Sequence, residues 1–412
     1  MKILVMNAGS SSQKSCLYEL PDAALPAKPP EPLWEAQIDL THAEGVAEIK
    51  VKTAAGVKRE ERYPTHSRAA ATSHMLETLW TGETKVIDRP GEIDIVGHRV
   101  VHGGEDYSAS VFITADVKAA IARLAKFAPV HNPANLEGIE AIEQILGSSV
   151  PQVAVFDTAF HGTLSPAAYV YPGPYEWLEQ GIRRYGFHGT SHGYCAQRAA
   201  QLLGRSLSEL RLLICHLGNG ASLSAVRQGQ CVDTTMGFTP LEGLMMGSRS
   251  GSVDPGILLY LIRDLGYTPD QVDRMLNRES GLEGVSGVSN DMRLILEAIA
   301  QGNERAKLAI DVYVHRLRSF MGSMLASLGG LDAIVFTAGV GENAPDIWQA
   351  ACEPFQFLGL RLDPAKLSRN PDDQDIAAAD STVRVLIIHT QEDWAIAQDC
   401  WHLSNTLVGA EN

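Results

Sequence analysis

The chain has no basic excess to offer a polyanion. Of its 412 residues, 34 are Lys or Arg against 49 Asp or Glu, a formal net charge of −15. Nucleic acid and anionic membrane surfaces call for a basic face, so neither is an expected partner. An anionic substrate must then be drawn in by locally placed Arg and Lys. Cysteine is sparse and scattered: Cys16, Cys195, Cys215, Cys231, Cys352 and Cys400 form no C-x-x-C pair. That excludes the spacing of zinc ribbons and disulfide scaffolds and fits reduced, buried thiols. No apolar run approaches the ~18 residues that span a bilayer. Four apolar residues after Lys2 are too few for the core of a secretory signal, so a cytoplasmic protein is expected. What remains is globular: 45% hydrophobic, 20% charged, and long enough for two domains.

The chain is organised around Leu212–Val226, LLICHLGNGASLSAV. Leu212 to Cys215 read as a buried strand, His216-Leu217-Gly218-Asn219-Gly220 as a glycine-rich turn, and Ala221 to Val226 as the returning strand. Glycines there let backbone N–H groups approach an anion with no Cβ in the way. Alone this pattern also fits an ordinary hairpin. Residues 3–18, ILVMNAGSSSQKSCLY, repeat it: Ile3 to Met6, the turn from Asn7 to Ser12, and a return carrying Lys14. Two such hairpins, each opening one half of the chain, imply a duplicated α/β architecture with a nucleotide in the cleft between the halves.

Further along, a Pro-rich loop (21–35) precedes alternating edge strands (36–63) and a helix from Ala69 to Trp80. The strand 92–101 runs into His98-Arg99-Val100-Val101-His102-Gly103-Gly104. Arg99, set between apolar residues, needs an anion partner, either a structural acid or a substrate carboxylate or phosphate. His98 and His102 have a zinc-like spacing, but lie on a strand and turn, which argues against metal. His131 is bracketed by Pro129 and Pro133. Asp157 ends the strand 152–156, a favoured place for catalysis. Thr190-Ser191 reads as the cap of a helix through Gln201, with His188 functional beside it. Residues 233–256 form a glycine-rich loop in which Arg249 is suited to sit over a phosphoryl group. Gly281–Arg293 reads as a second Gly/Ser loop, entering a helix at Asp291, and 337–343 (TAGVGEN) as a third glycine turn. The final helix is expected from Trp394.

Assembled, these residues resemble the acetate and propionate kinase family. The match spans nearly the whole chain: NAGSSS (7–12), GHRVVHGG (97–104), HNPAN (131–135), FDTAFH (156–161), YGFHGTSHGY (185–194), HLGNGAS (216–222), TPLEGLMMGSRSG (239–251), SGVSNDMR (286–293) and TAGVGEN (337–343).

The resemblance implies a duplicated βββαβαβα fold of the actin, sugar-kinase and heat-shock ATPase superfamily (ribonuclease H-like), with the active site in the interdomain cleft. It implies a cytosolic homodimer. The domains are expected at 1–156 plus 394–412, and at 157–393. The implied reaction is phosphorylation of acetate, and of propionate as a second substrate, by Mg-ATP. Asn7 and Glu392 would hold Mg²⁺, with Mn²⁺ as a substitute. Lys14, the turn His216, Leu217, Gly218, Asn219 and Gly220, then Asp291, Met292 and Arg293, and Gly339, Val340, Gly341, Glu342 and Asn343 would bind ATP or ADP. Arg99 would hold the substrate carboxylate. Val101, Val130, Phe187 and Pro240 would line its methyl pocket. Asp157, His188 and Arg249 would act at the transferred phosphoryl, with His131 in the catalytic set. Because a carboxylate is already ionised at pH 7, Asp157 is expected to orient a neighbour rather than abstract a proton. An actin-like ATPase without an acyl acceptor would not need Arg99, His131, His188 and Arg249. The chain departs from the family pattern at Ser252 and Asp393, which replace a usual Asp and Glu, at Glu283 where an apolar residue is usual, and at Val130 where Leu is usual.

Overall fold

The computed structural model describes residues 1–9, 12–43, 45–129, 131–368 and 371–410. The chain divides into two compact units, Met1–Ala159 with Gln391–Asn412, and Phe160–Thr390. These divisions fall inside the segment 157–393 expected for the second domain, so Asp157, Glu392 and Asp393 belong to the first unit.

The first unit carries strands β1 (Lys2–Ala8), β2 (Ser12–Glu19), β3 (Trp34–Ala43), β4 (Val46–Thr53), β5 (Lys58–Pro64), β6 (Ile95–Val100), β7 (Val111–Phe112) and β8 (Gln152–Phe156). They form one sheet in the order β5-β4-β3-β2-β1-β6-β8-β7. Ile3 to Met6 are buried, as a strand covered on both faces requires. In the β1–β2 register, Asn7 stands opposite Lys14. The C-terminal helix Glu392–Ala410 packs on β1 and β6. It comes so close that a Cβ on Gly97 would lie 2.5 Å from Ile396 Cγ2 and 2.6 Å from Cys400 Sγ. Glycine is therefore required on β6 at that crossing.

The second unit carries β9 (Arg211–Leu217), β10 (Ala221–Arg227), β11 (Gln230–Thr234), β12 (Ala333–Thr337), β13 (Gln374–Asp375) and β14 (Arg384–Ile387), in the order β11-β10-β9-β12-β14-β13. The duplication is explicit in the pairing. β3-β2-β1-β6-β8 and β11-β10-β9-β12-β14 share one order, and in both the first two pairings are antiparallel and the last two parallel. The helix Gly189–Leu203 covers the second sheet through Cys195, Ala196, Ala199 and Ala200, against Leu212, Ile214, Val335 and Leu386.

Several local expectations are corrected. β9 continues through His216 and Leu217, so the turn is only Gly218 to Gly220. Gly281–Ser286 and Ala338–Asn343 are short helices rather than loops. The first buries Gly281, Leu282 and Ser286 and packs on the long helix Glu304–Leu328, so tertiary contact forms it where its composition does not. The helix after His188 begins at Gly189, with His188 itself in the cap position, so Thr190 and Ser191 lie inside its first turn.

Candidate functional site

In the first unit, parallel pairing of β6 with β8 places Arg99 opposite Val155 and Val100 opposite Phe156. Asp157 follows at once, its N–H donating to Val100 O at 2.9 Å. The two carboxyl ends therefore bring Arg99 and Asp157 together. Arg99 Nε donates to Asp157 Oδ1 at 3.1 Å and Nη2 donates to Oδ2. Burial works against the Arg99 charge, but the carboxylates of Asp157, Glu392 and Asp393 outweigh it and raise its pKa. Asn7 Nδ2 donates to Asp393 Oδ1 at 2.8 Å and reaches Glu392 Oε2 at 3.5 Å. Burial pushes the Glu392 carboxyl up from its ordinary value, with Arg99 pulling the other way. The Asp393 departure thus keeps an acid on the Asn7 amide.

Among the described residues no group of three or more His, Cys, Asp or Glu is set to cage a metal. The donor set fits a hard divalent cation in another manner. Mg²⁺ is commonly held by one or two carboxylates together with waters and substrate phosphates. Glu392 is a carboxylate with a charge made costly by burial, and the Asn7 carboxamide offers a neutral oxygen beside it.

Val101 is buried, its N–H donating to Asn135 Oδ1 at 3.1 Å. His131 precedes the helix Asn132–Leu146, accepting Asn135 N–H at 2.9 Å. Lys14 is exposed on β2. Val130 lies outside the described residues.

In the second unit, His188 is held in the left-handed region, φ 58° and ψ 26°, a conformation that a side-chain-bearing residue adopts at a cost. The preceding carbonyl, of the buried Phe187, accepts His161 Nε2–H at 2.9 Å. His188 Nδ1 lies 2.9 Å from Ser222 Oγ, and its ring stacks on His216 at 4.1 Å and 20°. His216 Nδ1 is 2.8 Å from Ser191 Oγ, which Thr390 Oγ1 approaches to 2.8 Å.

Arg249 reaches the same place from the 243–252 loop. Its Nη1 donates to Pro240 O at 3.1 Å, and burial lowers its pKa. Ser252 closes this loop: Gly243 N–H donates to Ser252 Oγ at 3.0 Å and Ser252 N–H donates to Gly243 O at 2.9 Å. The Ser252 hydroxyl thus accepts within the loop and brings no charge to it. Gly220 lies between the two donors. A Cβ there would stand 3.4 Å from His188 Nε2 and 3.5 Å from Arg249 Nη1.

Beside these groups, the second unit holds a cavity of about 940 Å³. Of the residues expected to bind nucleotide, Gly218, Asn219, Asp291, Met292, Arg293, Gly339, Val340 and Asn343 line it. Leu282, Leu296 and Ala300 add apolar wall, the surface a flat base requires. His216, Leu217, Gly220, Gly341 and Glu342 do not line it. Leu217 is fully buried. Gly341 O accepts Trp348 Nε1–H at 2.6 Å, and Glu342 Oε1 accepts the N–H groups of Ala338 and Thr390 at 2.8 and 3.0 Å. Glu342 therefore fastens the start of its own helix to the end of the unit. Arg293 Nη2 donates to Asp291 Oδ2 at 2.6 Å, lowering the acid's pKa. Glu283, the departure beside Leu282, is exposed. Two polar groups at this site are not singled out by the sequence: Ser222, on a strand, and His192, one of several donors in the 185–194 run. Their only signal was a polar residue at a buried strand position and a second His four residues after the first.

The duplicated sheet, opened in each half by a glycine hairpin, is the two-unit α/β fold of the actin, sugar-kinase and heat-shock ATPase superfamily. The model of the Acetokinase family matches residues 2–398, and the chain belongs to that family. It is 66% identical to the acetate kinase of Gloeobacter violaceus over 401 residues, covering 97% of this chain and 99% of that one. The crystal structure of Porphyromonas gingivalis acetate kinase is 40% identical with a TM-score of 0.90, covering 98% and 99% of the two chains. A propionate kinase structure from Francisella tularensis is 37% identical with a TM-score of 0.87, covering 97% and 99%. The chain is accordingly a kinase, and the reading as an actin-like ATPase without an acyl acceptor falls away.

Proposed function

We propose that the chain phosphorylates acetate from ATP, giving acetyl phosphate and ADP. The pairing that carries this reading is Arg99 with Asp157, a guanidinium fixed at the end of a strand by one edge. Asp157 takes Nε and one hydrogen of Nη2, and the fork's other edge suits a second carboxylate. Acetate is favoured over propionate because the relative named acetate kinase stands at 66% identity, and the propionate kinase structure at 37%.

The acceptor carboxylate is ionised at pH 7 and needs no base. Its oxygen forms a bond to the γ-phosphorus as the bond from that phosphorus to the ADP oxygen breaks. The obstacle is repulsion between anions. Arg99 orients the acetate, with Val101, Val130, Phe187 and Pro240 receiving its methyl group. Arg249 and His188 donate to the phosphoryl oxygens as charge spreads over them. Lys14 supplies further charge at the phosphates, His131 belongs to the catalytic set, and the 940 Å³ cavity of the second unit takes the nucleoside. Asn7 and Glu392 hold Mg²⁺, or Mn²⁺ in its place, which supplies neutralisation of the phosphates when bound.

The chain acts as a homodimer. The helix Pro255–Arg263 buries none of its residues, leaving Ile257, Leu259 and Tyr260 about half exposed, an apolar face that a second copy would cover. A cytoplasmic location is supported by six free, buried cysteines. No helix among the described residues is long and apolar enough to cross a membrane. ADP release measured with Mg-ATP and acetate, against glycerol or no acceptor, tests the reading. Acetate-dependent release supports it, and release indifferent to acetate contradicts it.

A further inference from the structure

We propose that Ser222 is a positioning residue that holds His188 with its hydrogen on Nε2, its own hydroxyl being oriented by His192. The proposal rests on the reading above for the role of His188 and adds which nitrogen faces the substrate and what keeps it so.

Ser222 is fully buried on β10. Its Oγ lies 2.9 Å from His188 Nδ1 and 2.8 Å from His192 Nε2. A hydroxyl has one hydrogen to give. At most one of the two ring nitrogens can accept it, so at least one must donate to the oxygen. His192 decides between them. Its Nδ1 is buried and has no hydrogen-bond partner among the described residues. A bare nitrogen is tolerated there better than an orphaned N–H, which loses its hydration for nothing. The His192 hydrogen is therefore on Nε2 and goes to Ser222 Oγ. Ser222 then donates to His188 Nδ1, and the His188 hydrogen is on Nε2. Burial pushes the His192 imidazole well below its usual range, in keeping with an uncharged ring at the root of the chain.

Two further observations agree. The His188 and His216 rings stack at 4.1 Å, a separation at which two cationic rings would repel. His188 Nε2 also faces Gly220 beside Arg249 Nη1, so the nitrogen that carries the hydrogen is the one aimed with the guanidinium. His188 acts as a fixed donor, and no proton leaves it during the transfer.

The test labels the histidines of the full chain with ¹⁵N and reads both ring nitrogens of His188 by NMR, assigned by their loss in His188→Gln. The proposal predicts an unprotonated Nδ1 and a protonated Nε2. In Ser222→Ala this pattern gives way to mixed or reversed protonation. There kcat for acetate-dependent ADP release falls roughly tenfold to a hundredfold, as when outer partners of a working histidine are removed, while the KM for ATP holds. Ser222→Thr keeps the hydroxyl and restores both readouts. A protonated Nδ1 in the unmodified chain overturns the proposal whether or not the variants fold. Unchanged shifts and unchanged kcat in a folded Ser222→Ala overturn it as well. The predicted spectrum in a chain that shows no acetate-dependent turnover would contradict the proposed function and support the hydrogen-bond assignment.

Discussion

Arg99 and Asp157 meet edge to edge at the carboxyl ends of two neighbouring parallel strands, with Nε 3.1 Å from Oδ1 and Nη2 donating to Oδ2. A carboxylate engaged by both oxygens in this way is suited to orienting its partner rather than to taking a proton. Asp157→Asn should raise the KM for acetate and lower kcat/KM about tenfold to a hundredfold, the worth of one hydrogen bond to a charged group. Steady-state kinetics over a range of pH checks this. A collapse of kcat at constant KM, with loss of an acidic limb of the profile, would instead mark Asp157 as a base.

Arg249 Nη1 donates to the carbonyl of Pro240 at 3.1 Å and reaches Met246 Sδ at 4.0 Å, neutral contacts that a phosphoryl oxygen can replace. Arg249→Ala should cost about 10³-fold or more in kcat, the range of arginine fingers. A loss below tenfold removes Arg249 from the transfer.

Gly220→Ala separates folding from chemistry. The new methyl group would sit in ordinary contact with His188 Nε2 and Arg249 Nη1, so the melting temperature should stay nearly unchanged. It would fill the space both donors face, and kcat should fall about 10²-fold, the effect of displacing reacting groups by an ångström. A variant with unchanged kcat would show that this space is not used.

Stability should fall on mild acidification. Burial pushes His98 and His102 each down to about 4 from 6.5. A histidine whose folded pKa lies below its unfolded value leaves stability intact above pH 6.5. That stability is lost as pH drops from 6.5 towards 4, because the unfolded chain takes the proton first. The loss amounts to at most about 3 kcal/mol per histidine. Denaturant melts between pH 7 and 5 measure it, and His98→Gln, which removes one of the two, should flatten the dependence.

The apolar helix Pro255–Arg263 should be the pairing surface. Leu259→Glu places a charge on a half-exposed apolar position, so sedimentation velocity should show a monomer with unchanged secondary structure. A variant that still sediments as a dimer places the interface elsewhere.

Much of this was legible because the informative signals are local. The two glycine hairpins and the strand ends at Arg99 and Asp157 are each written in consecutive residues. What escaped depends on distant contact. Arg99 and Asp157 are 58 positions apart, and only the β6–β8 register shows that they pair. Gly281–Ser286 has a loop's composition and is made helical by packing. Ser and Thr favour caps, so the sequence points to Thr190 and Ser191, whereas His188 holds the cap position and Ser191 is buried and bonded to His216 and Thr390. Ser222 looked like any strand serine, since nothing in sequence places His188 and His192 on either side of its hydroxyl.

The most direct measurement is chemical capture of the product. The purified chain is given Mg-ATP and acetate with hydroxylamine present, and acetohydroxamate is counted against ADP. One hydroxamate is expected for each ADP, dependent on acetate. ADP formed with no hydroxamate would contradict it, because the phosphoryl group would then have gone to water and not to a carboxylate.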